Sequence, residues 1–378
     1  MSLPGFSAEI LRGPYVESVS HEMAVVRFRT DVSTISWLKY GAHPDCDKFM
    51  TVSAETSEHV LPLFGLLQDT THCYRIYLPV ENSTNVYKAS ENVFRTFRKD
   101  DKPFLNFIAF GDSGSGSDAQ HELAKQMEKF EPDFFLHTGD LIESGLDSDA
   151  DKQYFMPYKN MIAKYPFFLG LGNHDYGKNF KEEESKDFLR RNYVPFHSFP
   201  LNGLPPHYYY FDQGNARFIC LDNNSSYEAM WAPPIDKDSK QIKWLEQILS
   251  KTKTTWKFVY LHIPAYSTGL HGSMESVREV LSPLFEKYGV DVVFQGHDHN
   301  YERTAPLKAG VKSELEGVIY VTLGGGGRPL YFQRGTDEWS KKFLAVHHFA
   351  FIEIKEKNLL MKVFDKDGNV IDTLEIQK

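Results

Sequence analysis

Beyond residue 110 this 378-residue sequence carries five short stretches able to hold a metal ion or a phosphate. Gly111-Asp112, Gly139-Asp140, Gly172-Asn173-His174-Asp175, His262 and Gly296-His297-Asp298-His299 each close an apolar run. The runs are Leu105 to Phe110, Phe134 to Leu136, Phe167 to Leu171, Lys257 to Leu261 and Val290 to Phe294. Carboxylate and amide oxygens with imidazole nitrogens, and no thiolate, suit zinc, manganese or iron. Two ions need about seven or eight protein contacts, so Asp112, Asp140, Asn173, His262, His297 and His299 come close to filling two shells if a carboxylate bridges. A single buried Asp or His is more often a cap or a satisfied core group. Five strand ends in one domain, each with Gly or His at the turn, are not expected from independent caps.

Such ends must be brought together by an α/β arrangement, in which sites form at the carboxyl ends of strands. The spacing predicts three amphipathic helices between the runs. Ser117 or Asp118 caps one carrying Leu123, Met127 and Phe130, and Ser239 caps one carrying Ile242, Leu245, Ile248 and Leu249. The third carries Val277, Val280, Leu281, Leu284 and Tyr288 and ends at Gly289. Phe349 to Ile376 reads as strands with Asp365 to Asn369 as a hairpin turn, a better reading of that aspartate pair than a calcium loop.

Before residue 100 the pattern is different. Ala24, Val26 and Phe28 alternate with Val25, Arg27 and Arg29, and β-rich runs recur at Ile35 to Tyr40, Val60 to Phe64, Cys73 to Leu78 and Val93 to Phe97. Short strands without a helix predict a β-sandwich over residues 1–100. The charged stretch Arg98 to Pro103 divides it from an α/β domain over residues 101–378.

Composition bounds the function. With 42 basic and 51 acidic side chains the net charge is -9, which repels polyanions and gives no support for nucleic-acid binding. No apolar run approaches the roughly 20 residues that span a bilayer. Cys46, Cys73 and Cys220 allow at most one disulfide and no thiolate metal site.

The series Gly111-Asp112-Ser113-Gly114, Gly139-Asp140, Gly172-Asn173-His174-Asp175, Val259-Tyr260-Leu261-His262 and Gly296-His297-Asp298-His299 resembles the calcineurin-like metallophosphoesterases. The continuation Asn300-Tyr301-Glu302-Arg303 is similar to the purple acid phosphatase branch. The resemblance covers most of residues 104–376. It implies a four-layer α/β/β/α sandwich behind a fibronectin-III-like β-sandwich, where His72 stands at a usual aromatic corner. It also implies two ions, one held by Asp112, Asp140 and His299, the other by Asp140, Asn173, His262 and His297, with Fe, Zn or Mn as candidates. In the purple enzymes a tyrosine ligates ferric iron where this sequence has Glu143, which is read either as an oxygen ligand or as a solvated carboxylate.

The implied activity is hydrolysis of a small phosphorylated substrate, a phosphomonoester, by in-line attack of a hydroxide held between the ions. A phosphodiesterase or nucleotidase is the runner-up, and a non-catalytic binding protein the reading from another class. Asn173 and His174 are expected beside the phosphate, with Asp175 orienting the His174 ring. His271 lies on a Gly-bounded, mobile loop where the resembling phosphatases place substrate-facing histidines, and is expected to act as general acid. Gly324 to Gly327 reads as a tight loop bordering the site, and His347-His348 as structural. If Met1-Ser2-Leu3 replaces a removed signal peptide, a secreted or periplasmic location follows, otherwise a cytoplasmic one. Asn82, Asn223 and Asn224 open glycosylation-type triplets that matter only in a secretory host.

Overall fold

β-branched and aromatic residues between Ile10 and Arg95 build five strands: β1 (Ile10–Glu17), β2 (Met23–Ala42), β3 (Lys48–Phe64), β4 (Thr71–Pro79) and β5 (Val86–Arg95). The computed structural model describes residues 7–80, 83–98, 104–177, 207–227, 229, 232–313 and 316–378. Lys99 to Pro103, Met1 to Leu3 and Asn82 lie outside these. The chain divides into two units, residues 1–100 with 158–167 and residues 101–157 with 168–378.

In the first unit β2 does double duty. Its first half pairs with β1 and the end of β3, and its second half pairs with β4 and the start of β3, with register shifts between Arg29 and Ser36. The alternation expected at residues 24–29 is not observed, because Ala24, Val25, Val26, Arg27 and Phe28 are all buried. Arg27 is accommodated by laying its guanidinium 5.6 Å over the Tyr15 ring. His72 Nε2 bonds to Leu67 O at 3.0 Å, which supplies the corner bond to an upstream carbonyl that a tyrosine hydroxyl makes in related sandwiches. Cys46 and Cys73 form a disulfide, and Cys220 is free and buried.

Among the described residues the second unit holds two large sheets and one two-stranded pair. Its elements in order are β6 (Phe104–Phe110), α1 (Asp118–Met127), β7 (Phe134–His137), β8 (Phe167–Leu169), β9 (Tyr209–Gln213), β10 (Ala216–Cys220) and α2 (Lys240–Lys251). There follow β11 (Trp256–Tyr260), α3 (Glu275–Tyr288), β12 (Val292–Gln295), β13 (Tyr301–Thr304), β14 (Leu307–Lys308), β15 (Val311–Lys312) and β16 (Ile319–Leu323). The last are β17 (Ser340–Leu344), β18 (His348–Lys355), β19 (Asn358–Asp365) and β20 (Val370–Gln377). One large sheet runs β20-β19-β18-β6-β7-β8 and the other β17-β13-β16-β12-β11-β10-β9, and β14 pairs with β15.

Strand pleat separates the layers. Phe218, Phe258 and Phe294 point from the second sheet towards Phe107 of the first, with ring centroids 5.1, 5.8 and 6.0 Å away. Their neighbours Ile219, Val259 and Val293 face the other way and pack with Ile242, Leu245 and Leu249 of α2 and Val277, Leu281 and Phe285 of α3. Across the first sheet, Phe130 beyond α1 packs on Phe349, Phe351 and Phe364. The result is the α/β/β/α order. Each buried Phe contributes about 1.5–3 kcal/mol. The helix boundaries follow their sequence signals: Ser117 and Ser239 accept the N-cap bonds, and Gly289 closes α3 at φ 65°.

Candidate metal centre

The turns leaving β6, β7 and β12 set Asp112, Asp140 and His297 at φ of 55°, 58° and 70°. Side chains rarely adopt this left-handed backbone, and it costs of order 1–3 kcal/mol per residue unless the surroundings enforce it. Here it folds three side chains back over the strand ends. Two glycines make room: a Cβ at Gly172 would lie 2.1 Å from Asp140 Oδ1, and one at Gly139 2.7 Å from His262 Nδ1.

The six expected ligands fall into two groups that share Asp140. Asp112, Asp140 and His299 are buried and present ligand atoms within 4.8 Å of one another. Asn173 Oδ1 lies 3.0 Å from His262 Nε2 and 3.1 Å from His297 Nδ1, and His262 Nε2 lies 3.5 Å from Asp140 Oδ1. The first three come from β6, β7 and the segment after β12, and the rest from the ends of β8, β11 and β12, so both sheets contribute.

Outer hydrogen bonds fix which imidazole nitrogen carries the proton. His262 Nδ1 donates to Thr138 O at 3.0 Å and His299 Nδ1 donates to Pro329 O at 2.7 Å. A carbonyl can only accept, so each Nδ1 is an N–H and each Nε2 presents a lone pair to the centre. Burial lowers both pKa values, that of His299 to about 4, so both rings stay neutral. His262 Nε2 therefore meets the Asn173 amide oxygen lone pair to lone pair, and His299 Nε2 faces Asp112 Oδ1 at 3.6 Å. Among the described residues His297 Nε2 is buried with no hydrogen-bond partner. Burial and the Asp140 charge push the Asp112 carboxyl well above its ordinary range. Burial raises Asp140 too, but the positive charges facing it outweigh that and hold the carboxyl low: His262 when protonated, and the permanent Arg328 guanidinium. Acceptors facing acceptors beside two carboxylates fit a pair of cations, and the ligand-imidazole-carbonyl arrangement is the usual outer support of a metal site.

Asp175 does not orient His174. Its carboxylate accepts the backbone N–H groups of Gly172, Asp140, Leu141 and Ile142 at 2.8, 3.0, 3.0 and 3.2 Å, which ties the Asn173 turn to the Asp140 turn. The expectation fails because the backbone bends the carboxylate inwards. The His174 ring is held instead by Glu143 O, which accepts from Nδ1 at 2.9 Å, leaving Nε2 3.9 Å from Asp140 Oδ2.

His271 stands at the rim with its ring 4.2 Å from that of His297. Its loop is fastened rather than loose. Asp298 accepts from His271 N at 2.8 Å, Gly272 N at 3.2 Å and Ser267 Oγ at 2.5 Å, while Glu302 accepts from Thr268 N and Oγ1 at 2.7 and 2.6 Å. Tyr331 stacks on His299 at 4.0 Å and 11°. Sequence reasoning missed Arg328, whose Nη1 donates to Asp140 Oδ2 at 2.8 Å and whose Nη2 donates to Glu143. The available signal was an arginine directly after the Gly324 to Gly327 run.

Other sequence features resolve as structure. His348 is buried on Val346 O, and Asp365 closes its own turn by accepting from Asp367 N and Asn369 N. Asn223 and Asn224 are buried with their amides on Ile263 O and Leu171 O, so neither can carry a glycan.

The family profile described as calcineurin-like phosphoesterase matches residues 105–301. Purple acid phosphatase 21 of Arabidopsis thaliana is 28% identical over 324 residues, 81% of this chain and 68% of the relative. Fe(3+)-Zn(2+) purple acid phosphatase 12 of the same plant is 27% identical over 72% of this chain, which spans 62% of that relative's length. Purple acid phosphatase PPD1 from yellow lupin seeds shares the fold with a TM-score of 0.80 at 20% identity, covering 98% of this chain and 74% of that one.

Proposed function

Because this chain belongs to the calcineurin-like phosphoesterase family, we propose that it is a purple acid phosphatase-like phosphomonoesterase working with two metal ions. The observation that carries the reading is the sharing of Asp140 between two buried donor groups. Asp112, Asp140 and His299 hold one ion, and Asp140, Asn173, His262 and His297 the other. Zinc, manganese and iron suit these donors. Bound there, the ions supply the Lewis acidity that activates water and neutralises phosphoryl oxygens.

The chain's own groups do the rest. Asn173 and His174 flank the phosphate, with the His174 ring angle set by Glu143 O. Asp175 holds the two turns in register through four amides. His271, at the rim, delivers a proton to the leaving oxygen. The Cys46–Cys73 disulfide favours an oxidising compartment and therefore export.

The test is turnover by metal-depleted and reconstituted protein on alkyl and aryl phosphomonoesters, bis-esters and nucleotides. Metal-dependent hydrolysis fastest on monoesters is expected. Preference for bis-esters or nucleotides assigns the diesterase or nucleotidase alternative, and no turnover with both ions bound contradicts an enzymatic role.

A further inference from the structure

Arg328 is 2% exposed although it carries a permanent charge. Burying a guanidinium is unfavourable unless carboxylates and hydrogen bonds surround it. Both are present. Nη1 donates to Asp140 Oδ2 at 2.8 Å, Nη2 donates to Glu143 Oε2, and Nε reaches Gly114 O at 3.4 Å. The backbone is fixed as well, with Arg328 N on Asp112 O at 3.2 Å and Gly326 N on Gly111 O at 2.9 Å. A Cβ at Gly326 would lie 2.1 Å from Gly111 O, so the glycine run lets this loop lie against the Asp112 turn.

Both ends of the guanidinium are taken by carboxylates, Asp140 and Glu143, which favours a fixed-charge role over a phosphate clamp. Glu143 is correspondingly engaged: its Oε2 is taken by Arg328. Only Asp112 and Asp140 among the six donors bear charge, and one of the two is shared with a cation. A fixed positive charge repels a trivalent ion half as much again as a divalent one.

We propose that Arg328 is a built-in cation beside the Asp112–Asp140–His299 position, standing in place of a further anionic donor, so that this position takes a divalent ion and holds it more weakly than the other. The inference rests on the two-ion reading above. Arg328 acts as a positioning residue for charge and touches no substrate.

The experiment is chelator competition with elemental analysis on the full chain, using Zn(II), Mn(II) and Fe(III) separately. Wild type should bind two Zn(II) with unequal affinities, with the weak class lost in His299→Ala and the tight class lost in Asn173→Ala. Ferric ion should not be retained. Arg328→Gln should tighten the weak class by about ten- to a hundredfold, the usual reach of an outer-shell group, and confer ferric retention, while Arg328→Lys keeps the wild-type pattern. An unchanged affinity ratio in Arg328→Gln overturns the inference and leaves the two-ion reading intact. Equal affinities or ferric retention in wild type overturn it without any variant. Wild type binding no ion overturns both.

Discussion

His262 Nε2 and Asn173 Oδ1 lie 3.0 Å apart although neither has a proton to give, because the His262 proton is spent on Thr138 O. Two facing lone pairs repel, and a cation between them turns the repulsion into coordination. Ion binding should therefore stabilise the folded second unit. At a free ion concentration a hundred times the dissociation constant the gain is about 2.7 kcal/mol. Thermal unfolding with Zn(II) and with chelator should show it as a shift of the second unit's transition; coincident curves would deny that the pair faces a cation.

Asp175→Asn should damage the site without touching substrate. The new amide directs an N–H₂ at amide donors from the Gly172 or Asp140 turn, and an unsatisfied buried donor costs about 1–3 kcal/mol. Loosening both turns should weaken metal binding by about tenfold or more. If metal affinity is kept while His174-dependent turnover alone falls, the original assignment of Asp175 to the His174 ring stands after all.

Acid sensitivity should come in part from buried neutral histidines. Burial holds His59 and His348 down at about 4 in the folded protein, against about 6.5 for a free ring. Between those values the unfolded chain binds the extra proton, so stability is intact above pH 6.5 and is lost as pH falls towards 4, by about 1–3 kcal/mol for each ring. Urea unfolding at pH 7 and pH 4.5 measures the loss. The difference should shrink in His348→Gln, which removes one of the two buried rings.

His271→Ala should separate substrates by leaving group. An alkoxide needs a proton as it departs and a nitrophenolate does not, so alkyl phosphates should slow about a hundredfold more than nitrophenyl phosphate. Because Asp298 bonds the His271 backbone and not its ring, the loop should keep its place in this variant. Equal losses on both substrates would make His271 a phosphate-binding group instead.

The candidate ligands were legible because each closes an apolar run, and all but His262 also sit behind a glycine or within the His297-Asp298-His299 triplet, a local pattern. Helix caps at Ser117 and Ser239 were legible for the same reason. What the sequence concealed is set by distant contacts. Arg328 and Glu143 are 185 residues apart, and only the folded loop shows that they neutralise each other. Asp175 was misread because the direction of its carboxylate depends on the bent backbone around it. Three cysteines left three pairings open, and the β2–β4 register brings Cys73 beside Gly41, near Cys46. The burial of Val25 and Arg27 escaped the alternation rule, which assumes one wet face.

Metal stoichiometry of Asp140→Asn beside wild type is the most direct test of the shared-carboxylate centre. The account predicts two ions per wild-type chain and loss of both affinities in the variant, together with loss of turnover, because Asp140 serves both groups. Two tightly held ions and wild-type turnover in Asp140→Asn would contradict it.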